Sequence, residues 1–165
     1  MSKKIKIVLV DDHAVVRAGV KRLLEQEDLF EVTGEAESGE KAYQLFGELN
    51  PDVMVMDLSM PGMGGLEAIR RILMRYEKAK ILVLSMHEDL SFANQALKLG
   101  AKGYLIKNTL GDDLVKAIQA ISKGEVFLSD EIAKKIAMQS ISGDRDLIHE
   151  LSAREFEIFR LLAEG

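Results

Sequence analysis

Apolar residues along this chain alternate between two kinds of stretch. The first kind is short and nearly continuous: residues 4–10, with Ile5, Ile7, Val8, Leu9 and Val10; residues 30–36; Val53-Met54-Val55-Met56; residues 80–85, with Ile81-Leu82-Val83-Leu84; and Gly103-Tyr104-Leu105-Ile106. Runs of this length without strict alternation mark strands buried on both faces. The second kind places apolar residues three or four apart, as in Val16, Val20, Leu23 and Leu24, then Ala42, Leu45, Phe46 and Leu49, then Leu66, Ile69, Ile72 and Leu73. Residues 90–99 and 110–123, the latter with Leu114, Ile118 and Ile121, continue the series as helices. Ser38-Gly39-Glu40 opens one helix, Asn50-Pro51-Asp52 breaks it, and Gly100 and Gly124 close two others. Five strand–helix units in strict alternation predict a doubly wound α/β fold, a parallel sheet with helices on both faces.

Past Gly124 the pattern changes. Val126-Phe127-Leu128 is a brief extended piece, and Ser129-Asp130 reads as the cap of a helix over residues 131–140. Ser142-Gly143-Asp144-Arg145-Asp146 is polar and turn-prone, a hinge or linker. Ser152 and Glu155 then form a capping box for a new helix carrying Phe156, Ile158, Phe159, Leu161 and Leu162. A single amphipathic helix cannot bury that face by itself. The expected division is therefore one domain over residues 1–124, a helical linker over 125–150, and the start of a second, incomplete unit over 151–165. Met54, Met56 and Met74 are expected in the core.

Composition narrows the classes. The chain has 165 residues, 47% of them hydrophobic and 30% charged, as in a globular protein. No apolar run approaches the roughly 20 residues of a membrane helix. Met1-Ser2-Lys3-Lys4-Ile5 leads directly into a run ending at Asp11-Asp12, which reads as a first strand rather than a signal peptide. The absence of cysteine excludes disulfides and thiolate metal sites and is compatible with a cytoplasmic protein. A net charge of −5 argues against general nucleic-acid binding by these residues.

The candidate chemistry sits at strand ends. The carboxyl ends of parallel strands share one edge of a sheet, and here they carry Asp11 and Asp12, Asp57, Ser85 and Lys107. In the flavodoxin-like order 2-1-3-4-5, strands one, three, four and five are neighbours, so these groups meet in one crevice at the switch point. Taken singly, each has an ordinary structural role: the aspartates and Ser85 as caps, Asp57 as a residue preceding the Pro61-Gly62 turn, Lys107 as a surface charge. Taken together, three carboxylates repel, and a hard divalent cation such as Mg²⁺ resolves the repulsion. The cation and Lys107 would then organise phosphate oxygens, Ser85 would hydrogen-bond one, and a carboxylate nucleophile would give an acyl phosphate. Phosphoryl acceptance on Asp57 is the indicated chemistry.

From residue 4 to about Gly124 the chain resembles a response-regulator receiver domain, on Val10-Asp11-Asp12-His13, Met56-Asp57-Leu58-Ser59-Met60-Pro61-Gly62, Leu84-Ser85 and Gly103-Tyr104-Leu105-Ile106-Lys107. The resemblance implies that Asp57 is the phosphoacceptor for a sensor histidine kinase and that Asp11, Asp12 and Asp57, with the backbone carbonyl of Ser59, serve Mg²⁺ or Mn²⁺. It further implies that Lys107 contacts the phosphoryl oxygens and that Ser85 and Tyr104 form a switch pair, the ring moving inward as the hydroxyl turns to the phosphoryl group. It implies no turnover enzyme, no membrane and a phosphorylation-dependent homodimer. Leu151-Ser152-Ala153-Arg154-Glu155 and Leu161-Leu162-Ala163-Glu164-Gly165 resemble the first helix of a NarL/LuxR-type helix-turn-helix domain. A transcription factor is implied, with DNA binding confined to the full-length protein, so residues 1–165 are expected not to bind an operator.

Two positions depart from the family pattern. Met86 stands where many receivers have a small residue after the switch hydroxyl, and it is expected to narrow access to the acyl phosphate. Asn108 replaces the proline that often follows the lysine in a cis bond; a non-proline cis bond costs about 3–4 kcal/mol. Other classes predict other observations. A metal-dependent phosphatase in the same crevice would need a general acid or base, for which His13 and His87 are the candidates. A Rossmann-type nucleotide module would need a glycine-rich loop where Asp11-Asp12 stands. A receiver acting only as a protein-binding module would not need the acidic set.

Overall fold

β1 (Ile5–Val10), β3 (Val53–Asp57), β4 (Ile81–Ser85) and β5 (Gly103–Ile106) form the middle of one parallel sheet in the computed structural model, which describes residues 3–58, 64–86, 90–106 and 111–141. Every residue of β3, β4 and β5 is buried. That is the physical reason these stretches are continuously apolar. β2 (Phe30–Ala36) lies outside β1, with the mixed burial of an edge strand. The first five strands follow the order 2-1-3-4-5, and β6 (Phe127–Leu128) adds a sixth, pairing parallel to β5 through Gly103↔Phe127 and Tyr104↔Leu128. The brief extended piece past Gly124 is thus part of the sheet.

Two apolar layers enclose the sheet. On one face, α1 (Ala14–Glu25) and α5 (Asp112–Ser122) bring Val20, Leu24, Leu114 and Ile118 onto Ile7, Leu9, Val55 and Leu84. On the other, α2 (Gly39–Leu49), α3 (Gly65–Arg75), α4 (Leu90–Leu99) and α6 (Asp130–Ile141) cover Val8, Val10, Met54, Met56, Val83 and Tyr104. Helix boundaries follow local chemistry. Ser38 accepts the Lys41 N–H at 3.1 Å to cap α2, and Asn50 ends that helix in the left-handed conformation (φ 44°) before Pro51. α5 is flanked by Gly111, its N-cap, and Gly124, one residue past its C-cap Lys123, both with positive φ.

Two expectations are corrected. Met54 and Met56 are fully buried, but Met74 is 71% exposed on α3, because it lies off the face that carries Ile69 and Ile72. Ser129 stands at the start of α6 without capping it by its side chain: its hydroxyl is buried and makes no hydrogen bond, while its carbonyl accepts the Ala133 N–H at 2.9 Å. Tyr104 is fully buried. Ser59, Lys107, His87, the Lys107–Asn108 bond, the 142–146 hinge and the 151–165 helix lie outside the described residues.

Candidate functional site

Strand register builds the site. β1 and β3 pair through Val10↔Met56, so the next residue on each, Asp11 and Asp57, emerges at the same edge. The Asp11 N–H continues the ladder to the Ala36 carbonyl at 3.0 Å, which fixes the chain as it leaves the sheet. The Asp11 carboxylate then accepts the His13 backbone N–H at 2.9 Å, a local turn that ends β1 and starts α1. Asp11 is 6% exposed and Asp57 2%, whereas Asp12 is partly open. One carboxylate oxygen from each of Asp11, Asp12 and Asp57 and one ring nitrogen of His13 all lie within 4.8 Å of one another. The three aspartates expected to meet do meet.

Two further residues border the crevice: His13, a candidate acid or base in the sequence, and Arg17, which the sequence did not single out. His13 Nδ1 is 3.0 Å from Asp12 Oδ1 and 3.3 Å from Asp11 Oδ1. The closer approach is an electrostatic contact without hydrogen-bond alignment, for Asp12 Oδ1 is buried and makes no hydrogen bond. Arg17, one turn into α1, donates from Nη1 to the Asp11 carbonyl at 2.5 Å and from Nε to Glu35 Oε1 at 3.1 Å. It borders a small recess lined also by Asp57, Leu84 and Val55. The signal for Arg17 was its place four residues after His13, on the turn of α1 nearest the strand ends, but its partner Glu35 is on β2 and only topology brings the two together.

Ser85 ends β4 fully buried. Asp57 pairs with Leu84, so Ser85 lies one residue further along the same edge. Ser85 pairs in turn with Ile106 and Val83 with Tyr104, and the alternation of side chains places Ser85 and Tyr104 on one face of the sheet. The closest packing at the site is at Gly65, the first residue of α3. A Cβ there would lie 2.5 Å from the Asp57 carbonyl oxygen and 2.6 Å from Leu58 Cα, so the helix can approach the Asp57 strand end only as glycine.

The donor set fits a hard cation. A buried carboxylate oxygen that makes no hydrogen bond is costly in a low-dielectric setting, and three carboxylates within ligand distance supply oxygen donors only.

Residues 7–119 match the response regulator receiver domain family. The transcriptional regulatory protein DegU of Brevibacillus brevis is 36% identical over 179 aligned positions, spanning 98% of this chain and 76% of the relative. The oxygen regulatory protein NreC of Staphylococcus aureus (strain USA300) is 39% identical over 168, spanning 97% and 77%. Among solved structures, a LuxR-family two-component response regulator from Aurantimonas sp. SI85-9A1 superimposes with a TM-score of 0.82 at 42% identity, over 84% of this chain and 99% of that one. A structure of two RcsB dimers bound to two parallel DNAs gives 0.74 at 29% identity, over 99% and 78%. This chain belongs to the response regulators, and its likeness runs to their LuxR-type branch.

Proposed function

We propose that this two-component response regulator accepts a phosphoryl group on Asp57 from a sensor histidine kinase and, in a full-length form, controls transcription through a DNA-binding unit that follows residue 150. The observation that carries this reading is the convergence of Asp11, Asp12 and Asp57 at the carboxyl ends of β1 and β3. An Asp57 carboxylate oxygen attacks phosphorus, the bond from phosphorus to the donor nitrogen breaks with the electron pair leaving on the imidazole, and an acyl phosphate remains. Asp11, Asp12, Asp57 and the Ser59 carbonyl would hold Mg²⁺ or Mn²⁺, which supplies charge neutralisation and orientation of phosphate oxygens when bound. Lys107 offsets further phosphoryl charge, Ser85 donates its hydroxyl to a phosphoryl oxygen, and Arg17 holds the Asp11 backbone in place from outside the crevice.

Phosphorylation adds about −1.5 to −2 charges at neutral pH. Ser85 turns towards them, and the packing on its side of the sheet, which includes Tyr104, rearranges as a two-state element. The protein is a phosphoacceptor rather than a turnover enzyme. Residues 1–124 form the receiver, 125–150 the linker and 151–165 the start of the DNA-binding unit. It works in the cytoplasm, with no membrane partner, and dimerises on phosphorylation. DNA-bound RcsB dimers among the structural relatives support the DNA-binding and dimeric parts of this reading.

The test is incubation with acetyl phosphate and Mg²⁺ followed by intact mass. A single phosphate adduct that is lost in Asp57→Ala is expected. An unchanged wild-type mass would overturn the proposal.

A further inference from the structure

The outer face of α3 runs against the charge of the chain. The inner residues of the helix, Gly65, Ala68, Ile69 and Ile72, are buried. Glu67, Arg70, Arg71, Met74 and Arg75 recur three and four residues apart along its other side, which makes them one continuous stripe. The whole chain carries a net charge of −5, yet this stripe holds three guanidiniums and a single carboxylate. Beside it, α2 contributes Glu40 and Tyr43, one turn apart. The two helices enclose a groove of about 630 Å³ lined by Glu40, Tyr43, Arg70, Arg71, Met74 and Arg75.

The arginines are held in place. Glu67 accepts from Arg70 Nε at 2.9 Å and from Arg71 Nε at 3.0 Å, so two guanidiniums share one carboxylate. Arg75 donates from Nη1 to the Tyr43 hydroxyl at 3.2 Å. Its guanidinium carbon lies 6.0 Å from the Tyr43 ring centre and 5.5 Å from that of Tyr76. Neither tyrosine cancels its charge. Between these cations Met74 is 71% exposed, a large apolar chain with no place in the core.

Tyrosine, methionine and arginine are the residues enriched where proteins bind proteins, and a few such anchors carry most of the binding energy. Side chains already fixed by their neighbours lose less freedom on binding, which favours association. The charge selects the partner. A long polyanion such as duplex DNA would extend past the groove and meet the repulsion of a negative chain. A short acidic segment places its carboxylates only where the arginines stand, and bidentate pairing suits arginine to carboxylate.

We propose that the α2–α3 groove is a docking surface for an acidic segment of a partner protein, with an aromatic or large apolar side chain seated on Met74 and Tyr43 and carboxylates on Arg70, Arg71 and Arg75. Occupation of this groove does not depend on Asp57 being a phosphoacceptor.

The experiment is an NMR titration of the isotope-labelled 165-residue chain with a synthetic peptide of glutamates around one central phenylalanine, at low salt. Saturable shifts centred on the amides of α2 and α3 are expected. Replacing the glutamates by glutamines should weaken binding by about tenfold or more, and replacing the phenylalanine by glycine by about threefold or more. Arg75→Gln should cost about five- to tenfold, and Met74→Glu, which sets a like charge at the centre of the contact, should abolish binding. Met74 is exposed, so Met74→Glu should melt as wild type does and decides the matter even if Arg75→Gln loses stability with its Tyr43 contact. Absence of saturable shifts, shifts centred elsewhere, equal binding of the glutamine peptide, or full binding by Met74→Glu would each overturn the proposal. Random-sequence duplex DNA that shifts the same amides at lower concentration than the peptide would make the groove a phosphate-binding surface and overturn the protein partner.

Discussion

Gly65 and Met86 show how single positions shape the crevice from opposite sides. An alanine in a helix is ordinarily favoured over glycine by about 0.5–1 kcal/mol. At position 65 the added carbon would lie 2.5 Å from the Asp57 carbonyl oxygen and 2.6 Å from Leu58 Cα, both backbone atoms that cannot swing away. Overpacking of this kind costs about 1–3 kcal/mol and outweighs the helix preference. Gly65→Ala is therefore expected to lower stability in urea melts by about 1–2 kcal/mol and to slow Asp57 phosphorylation, since relief comes only by moving α3 or the strand end. Equal or greater stability would show that the approach is not limiting. Met86 follows the buried Ser85 and is 66% exposed, so its side chain stands at the surface beside the crevice. A flexible apolar chain there would reduce the approach of water to the proposed acyl phosphate. Met86→Ala should shorten the adduct's lifetime several-fold in intact-mass time courses, and an unchanged decay would remove that role.

At the scale of elements, α3 carries its own charge network. Glu67 accepts from Arg70 and Arg71, at distances down to 2.5 Å and at 3.0 Å respectively, three and four residues along the helix. These hydrogen bonds, Arg70's foremost, hold the Glu67 carboxyl at about 2, well below its ordinary 4.5. A carboxyl depressed in the folded state stabilises above its unfolded value, and that stabilisation is lost as pH falls from about 4.5 through about 2. Paired thermal melts of wild type and Glu67→Gln should differ at neutral pH in low salt and converge by about pH 2. A difference that persists at the acid end would mean that packing, not charge, links these residues. The same helix shows where sequence reading stops. Its core residues Ile69 and Ile72 follow from spacing, but Met74 has the chemistry of a core residue and the angular position of a surface one. Strands β3, β4 and β5 were legible because burial on both faces leaves an apolar run with no other reading. The extended piece at residues 126–128 was legible, but its place in the sheet as β6 was not, since so short a run carries no periodicity and its pairing depends on where β5 ends. The aspartates were legible because parallel topology alone brings strand ends together. Arg17, Glu35 and the His13 contacts were not, for they depend on side-chain directions and on a partner from β2.

For the molecule as a whole, the crevice places function against stability. Asp11, Asp12 and Asp57 bring three carboxylates within 4.8 Å in a largely buried setting, with Asp12 Oδ1 making no hydrogen bond. The sheet, buried on both faces, tolerates that repulsion. A cation that binds only the folded state relieves it and stabilises by about 2.7 kcal/mol at one hundred times its dissociation constant. For a domain of this size, 1 kcal/mol corresponds to about 2–4 °C. Saturating Mg²⁺ is thus expected to raise Tm by about 5–10 °C, beyond the effect of monovalent salt at matched ionic strength. Asp12→Asn removes one of the repelling charges and one oxygen donor together. It should melt higher than wild type without the cation and lose most of the Mg²⁺-dependent rise. The two effects have opposite signs in one variant, which separates a cation site from general weakening of the fold. A destabilised Asp12→Asn that kept the full Mg²⁺ response would mean that the three aspartates do not form the site. A wild-type Tm indifferent to Mg²⁺ would mean that their convergence has no cation to serve.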